Sequence, residues 1–220
     1  MTAAPRTRAW VALGVVLSLA FAILAHAAIV EHVPRSIGAA LSLVPLGIVV
    51  LLMARRSRHP LVAAAIGVTA AAALWAGWGE LERHFADVFF VEHAGMNLLL
   101  AVVFGRTLAP GHEPICALFA RLVHGSIPPE VERYARGITI AWTIYFAAMF
   151  ALSCALYLGG AREAWSFLAN FLTAPLLVAM FVGEYFVRYR VLPHWERPGI
   201  LGAVRAFSQH MAQGHTGTPR

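Results

Sequence analysis

The sequence predicts an all-α fold: a polytopic transmembrane bundle of about six spans, with amphipathic helices on the cytoplasmic interface. Three observations carry that expectation. First, 60% of the 220 residues are hydrophobic, only 13% are charged and the mean hydropathy is +0.70, too apolar a composition to be wrapped into a soluble globule with a polar surface. Second, six windows near 9–30, 37–54, 61–78, 88–104, 138–158 and 165–187 are apolar and close to the roughly 17 to 25 residues that a helix needs to cross a bilayer. Third, all 17 cationic side chains are arginines, and they alternate between rich and poor connections along those windows.

The elements follow in order. Arg6 and Arg8, an apolar stretch and Ala25-His26-Ala27 imitate a secretory signal. The apolar run continues to Val30, however, beyond the roughly 7 to 15 residues of a signal core, so an uncleaved first span is expected; cleavage would leave five spans and an outer N-terminus. Spans two and three form a helical hairpin around the basic turn Ala54–Pro60, whose proline suits the first turn of the next helix. The fourth span is the weakest, because Glu92, His93 and Asn97 interrupt it, and a re-entrant segment is an open alternative.

The loop 105–137 is organised. After His112-Glu113-Pro114, the residues Ile115, Leu118, Phe119 and Leu122 repeat at helical spacing up to Gly125, which predicts a short amphipathic helix on the inner leaflet, presenting Arg121 and His124 to headgroups or cytosol. Ser126 and Pro129 mark a second start, Glu132 and Arg136 are spaced for an i,i+4 ion pair, and a helix of ~40 Å should run from Pro129 into the fifth span. Beyond the sixth span, Glu184 precedes Arg188 by four residues at the inner boundary. Ile200, Leu201, Val204, Phe207 and Met211 then predict an interfacial tail helix over about 199–212, and 214–220 reads as disordered. Residues 1–213 thus form a single transmembrane domain.

Alternate assignment of the connections puts Arg6, Arg8, Arg55, Arg56, Arg58, Arg106, Arg121, Arg133, Arg136, Arg188, Arg190, Arg197, Arg205 and Arg220 on one side, and Arg35, Arg83 and Arg162 on the other. Fourteen against three is a strong positive-inside bias, so both termini are expected in the cytoplasm. Trp75, Trp78 and Trp165 fall at the outer interface, where amphipathic rings are favoured.

The same placement excludes other classes. The arginines flank apolar spans instead of forming a basic stripe with exposed aromatics, which excludes nucleic acid as a partner. There is no Gly-x-Ser-x-Gly, His-Glu-x-x-His, Gly-x-x-x-x-Gly-Lys or Cys-x-x-Cys motif, and Asp87 is the only aspartate; no catalytic residue, metal or cofactor is expected. Cys116 and Cys154 read as small apolar residues without a disulfide.

Two candidate sites remain. His26, Glu92, His93 and Asn170 lie at one depth in the outer half of the bilayer, with Asn97 one turn below His93; Ser153 and Cys154 share that layer. Ionisable groups there cost about 2.5 to 3.5 kcal/mol near the bilayer centre. The cluster therefore reads either as a polar site with Glu92 and His93 exchanging a proton or as interhelical hydrogen bonding. Bis-histidine haem ligation by His26 and His93 matches in depth but has no further signature. On the inner side, Arg106, Arg121, His124, Arg133 and Arg136 suit an anionic headgroup or a phosphopantetheine, against the alternative of topology and ordinary headgroup attraction. Glu184 and Arg188 read as an inner-boundary ion pair.

Phe104-Gly105-Arg106-Thr107-Leu108, Phe119-Ala120-Arg121, Pro128-Pro129-Glu130-Val131 with Tyr134 and Arg136, Trp142, and Gly183-Glu184-Tyr185 together resemble a family of bacterial predicted inner-membrane proteins found among aryl polyene or xanthomonadin-type biosynthesis genes. The resemblance spans about half the chain. It implies a bacterial inner-membrane location and a process, the formation or membrane handling of a polyene lipid, with soluble acyl-handling enzymes or an acyl carrier protein as partners beside the lipid bilayer. The expectation is a non-catalytic accessory or scaffold component; a lipid or small-molecule transporter using the outer polar site and a membrane-embedded acyl-handling enzyme are the alternatives. Neither cysteine has the histidine-supported setting that acyl condensation requires.

Overall fold

The computed structural model describes residues 5–57 and 60–192. They form α1 (Pro5–Ile29), α2 (Arg35–Ser42), α3 (Val44–Arg56), α4 (Pro60–Ala76), α5 (Trp78–Arg106), α6 (Ile115–His124), α7 (Pro129–Leu158), α8 (Arg162–Phe167), a π-helical turn (Leu168–Leu172) and α9 (Thr173–Val191), with no strand among the described residues. Five stretches are long and apolar enough to cross a membrane: Ala12–Ile29, Arg35–Arg55, Trp78–Arg106, Pro129–Leu158 and Arg162–Val191. The 17 residues of α4 rise only about 25 Å, the lower end of spanning length. The described residues are thus compatible with a helical membrane bundle of about six spans, and the chain is an integral membrane protein.

Bilayer, not water, explains the outer surface. Leu61 is 84% exposed and Trp75 86%, and on α4 both faces are apolar, a pattern stable only where the solvent is hydrocarbon.

Several expectations gain detail. The fourth span lies in one unbroken 29-residue helix that is long and apolar enough to cross a membrane despite its polar residues. The second is broken at Leu43, just before Pro45 in the first turn of α3, because proline lacks the N–H that would continue the α2 ladder. The α7 helix runs unbroken for 30 residues from Pro129. The sixth span contains a π-helical turn, Leu168–Leu172. The tail helix expected over 199–212 and the tail 214–220 lie outside the described residues.

Helix ends follow their sequence. At the end of α1, His32 N–H donates to the Ala27 carbonyl and Glu31 N–H to that of Ala28, with Glu31 at φ 62°; at the end of α7 the same pattern joins Ala161 to Leu156 and Gly160 to Tyr157, with Gly160 at φ 82°. Both are Schellman closures, which satisfy carbonyls that the helix leaves over.

The residues divide into two compact units. The first takes the described residues up to Ala94 together with Leu152–Pro175. Its core buries Ala25 and Ala28 of α1, Ala39 of α2, Phe85 and Phe89 of α5, Tyr157 of α7 and Trp165 of α8. Small residues let the α1 and α2 backbones approach closely, as is usual where apolar burial cannot drive helix association. The second takes Gly95–Ala151 and the described residues from Leu176 onward. Trp142 and Phe146 stack there with centroids 5.5 Å apart, and Phe181 lies 4.8 Å from Trp142.

Gly38 of α2 is where packing leaves no room: a Cβ there would fall 2.5 to 2.9 Å from three ring atoms of Phe85. Gly38→Ala should therefore destabilise the protein by about 1 to 3 kcal/mol, the usual cost of overpacking, despite alanine's better helix propensity. Chemical unfolding in detergent micelles measures it; an unchanged or raised stability would show that Phe85 moves aside freely.

A polar network and crevice within the membrane

In the first unit, the polar side chains of α1, α5, α7 and the last span engage one another. His93 of α5 has Nδ1 3.1 Å from Ser153 Oγ of α7 and Nε2 3.1 Å from Thr173 Oγ1 of α9. The protons can be assigned from the partners. Thr173 donates to the Leu168 carbonyl at 3.0 Å, so its oxygen accepts from His93 Nε2–H. Trp165 Nε1, a donor only, reaches Ser153 Oγ at 2.8 Å, and Ser153 passes its own proton to His93 Nδ1. The result is a neutral Nε2–H imidazole with both nitrogens engaged.

A second set joins α1 to the sixth span. His26 Nδ1 lies 2.9 Å from the buried Ser166 Oγ, and Asn170 Nδ2 donates to the Ser166 carbonyl at 2.9 Å and to its Oγ at 3.2 Å. At the edge of the unit, Tyr157 donates to Asp87 Oδ1 at 2.5 Å and His84 Nδ1 to Asp87 Oδ2 at 2.8 Å. The Arg162 guanidinium stands over the Tyr157 ring, 5.6 Å from its centroid, a cation–π placement.

Glu92 is the exception. Its Oε1 is buried without a hydrogen-bond partner, although a buried polar atom ordinarily has one. Glu92 lines a crevice of about 150 Å³ with His93, Asn170, Phe21, Phe89 and Trp165; Pro45 and Ala169 complete it. A broader cleft of about 570 Å³ lies by His26, Arg162 and Glu163.

Of the residues singled out in the sequence, Glu92, His93 and Asn170 meet at the crevice, His26 joins through Ser166, and Asn97, 7% exposed, belongs to the second unit. Of the two readings of the cluster, interhelical hydrogen bonding is the one that the His93 contacts to Ser153 and Thr173 match. Haem ligation by His26 and His93 does not fit, since both His93 nitrogens are engaged in hydrogen bonds. Among the described residues no three His, Cys, Asp or Glu side chains gather to hold a metal ion.

Ser166 and Thr173 also belong to the network. With Asn170 they fall at i, i+4 and i+7, a helical polar stripe that was readable in the sixth span.

In the loop 105–128 of the second unit, α6 spans Ile115–His124 and closes at Gly125 with φ 79°. It does not present Arg121 only to headgroups: Arg121 Nε lies 3.0 Å from Glu113 Oε1 and its Nη2 4.0 Å from Glu132 Oε1. The first contact is an ion pair of poor angle, because Glu113 Oε1 still lacks an aligned donor. Arg136 does not pair with Glu132 but donates to the Leu108 carbonyl at 2.9 Å. Arg106 and Arg133 are exposed and His124 is half-buried. Thr107 accepts from the Ile115 N–H at 3.1 Å and donates to the Phe104 carbonyl at 2.7 Å, so it closes the loop on both sides. Arg188 Nη2 lies 2.6 Å from Glu184 Oε1, while Trp142 Nε1 is 3.4 Å from Glu184 Oε2 and Tyr134 donates to the Glu184 carbonyl. Burial pushes the Cys116 thiol above its usual range, an environment that suppresses the thiolate.

No family model, curated protein or solved structure matches the chain.

Ser153 tests the network. Ser153→Ala removes the acceptor for Trp165 and the donor for His93 together. It should cost about 1 to 3 kcal/mol, the penalty for buried groups left unsatisfied. Chemical unfolding in micelles reads it, and a loss below ~0.5 kcal/mol would mean that the two groups find other partners, as many do in membranes.

Proposed function

We propose that this integral membrane protein holds an amphiphilic small molecule in the crevice beside Glu92, as a non-catalytic component of lipid handling. The buried and unpaired Glu92 Oε1 carries the reading. A carboxylate oxygen kept from water without a partner is costly, and a ligand that fills the crevice would relieve that cost while its apolar part lies against Phe21, Phe89 and Trp165. A binding role is favoured over catalysis because His93, the nearest general base, has both nitrogens engaged, and Cys116, with its raised thiol, is a poor nucleophile. The resemblance of residues 104–136 and 183–185 to inner-membrane proteins of aryl-polyene-type biosynthesis supports a polyene lipid or its precursor as the process served.

Protein purified in mild detergent should release about one amphiphile per chain on solvent extraction, and Glu92→Ala should lose it while its unfolding midpoint stays within a few degrees of the parent. No co-purifying molecule, or equal retention by the variant, would overturn the reading.

We place both termini in the cytoplasm of a bacterial inner membrane, which the fourteen-to-three division of arginines supports. Reporter fusions after residue 57 and after residue 192 should both report cytoplasm, and one after residue 161 the outer side; the reverse pattern would invert the assignment.

A further inference from the structure

We infer that the crevice selects its ligand by hydrogen-bond donors: it takes an amphiphile headed by a hydroxyl or an ammonium group and rejects one headed by a carboxylate or a phosphate. This rests on the binding role proposed above and specifies the chemistry of the occupant.

The side-chain donors that line the crevice are already committed. Trp165 Nε1–H goes to Ser153, His93 Nε2–H to Thr173, and the Asn170 amide nitrogen to Ser166, at both its carbonyl and its hydroxyl. That pairing also fixes the orientation of the Asn170 amide, since a carbonyl accepts only from the nitrogen side. What remains is acceptor capacity: Oε1 of Glu92, which has no partner, and Oδ1 of Asn170.

A ligand must complement that balance. A hydroxyl or an ammonium supplies protons to oxygens that lack them, and an ammonium beside an ionised Glu92 gains a charge-assisted bond. A carboxylate or phosphate would bring only acceptors, and among the described residues no arginine lines the crevice to offset a second negative charge. In a low-dielectric setting that repulsion is weakly screened. The volume of about 150 Å³ admits a group roughly the size of benzene, which fits a head and its first few carbons between the aromatic walls, with a longer tail left in lipid.

The test uses the full chain in phosphatidylcholine nanodiscs and measures equilibrium binding of labelled octylamine, octanol, octanoate and ethylamine, with partition into empty nanodiscs subtracted. Octylamine and octanol should bind about tenfold or more tightly than octanoate, and Glu92→Gln, which presents an amide in place of the carboxylate, should weaken octylamine by about tenfold. Thermal unfolding of the variant confirms that it is folded, and Glu92→Leu gives a second route to the same loss. Octanoate binding as well as octylamine would overturn the selection while leaving the binding role intact. Ethylamine binding as tightly as octylamine would keep the selection but replace the membrane amphiphile with a free amine. Binding of none of the four would overturn both.

Discussion

His93 is the residue around which the first unit is arranged. Its ring stands between Ser153 of α7 and Thr173 of α9, so three helices meet at one imidazole. In hydrocarbon there is no water to satisfy a polar side chain, and the chain of protons from Trp165 through Ser153 and His93 to Thr173 and the Leu168 carbonyl leaves none of these donors unused. Each such bond contributes modestly, on the order of 0.6 kcal/mol in membranes. Their joint effect is geometric: one network allows one rotation for each helix. The aromatic neighbours follow from it, with Trp165 packed edge-on against Tyr157 at 4.9 Å and Phe90 stacked on Tyr157 at 4.3 Å.

The π-helical turn is what lets the sixth span serve two neighbours. Ser166 lies before it and bonds His26 of α1; Thr173 follows it and bonds His93 of α5. The Leu168 carbonyl accepts both the Thr173 backbone N–H, the i→i+5 bond of the turn, and the Thr173 hydroxyl. Such turns recur at functional sites, and here Ala169 and Asn170 within the turn line the crevice. Against this saturated background the unpaired Glu92 oxygen stands out, because the same fold that satisfies its neighbour leaves it open.

The second unit is built on a different principle. Trp142 and Phe146 form its buried aromatic core with Phe104 packed against them, and polar groups close the loop at its rim: Thr107 on Ile115, Arg136 on Leu108, Arg121 beside Glu113. Arginines 121 and 136 are therefore tied into the local structure of the loop.

The sequence by itself determined the class of the molecule. Hydrocarbon imposes length and apolarity on each span, so the windows, the continuous helix from Pro129 and the short helix ending at Gly125 were readable from composition, period and punctuation alone. It also marked Glu92, His93 and Asn170 as polar residues at one depth, because a charge in a bilayer is conspicuous wherever it falls. Only the tertiary structure decided which of them are committed. His93 and Glu92 are adjacent in the chain, yet one is bonded at both nitrogens and the other has a bare oxygen, a difference set by the rotation of helices 60 and 80 residues away. The break at Leu43 is foreshadowed by Pro45, whereas the π-helical turn carries no such mark: it arises because Ser166 and Thr173 each answer a different histidine, and that demand exists only once the helices are packed.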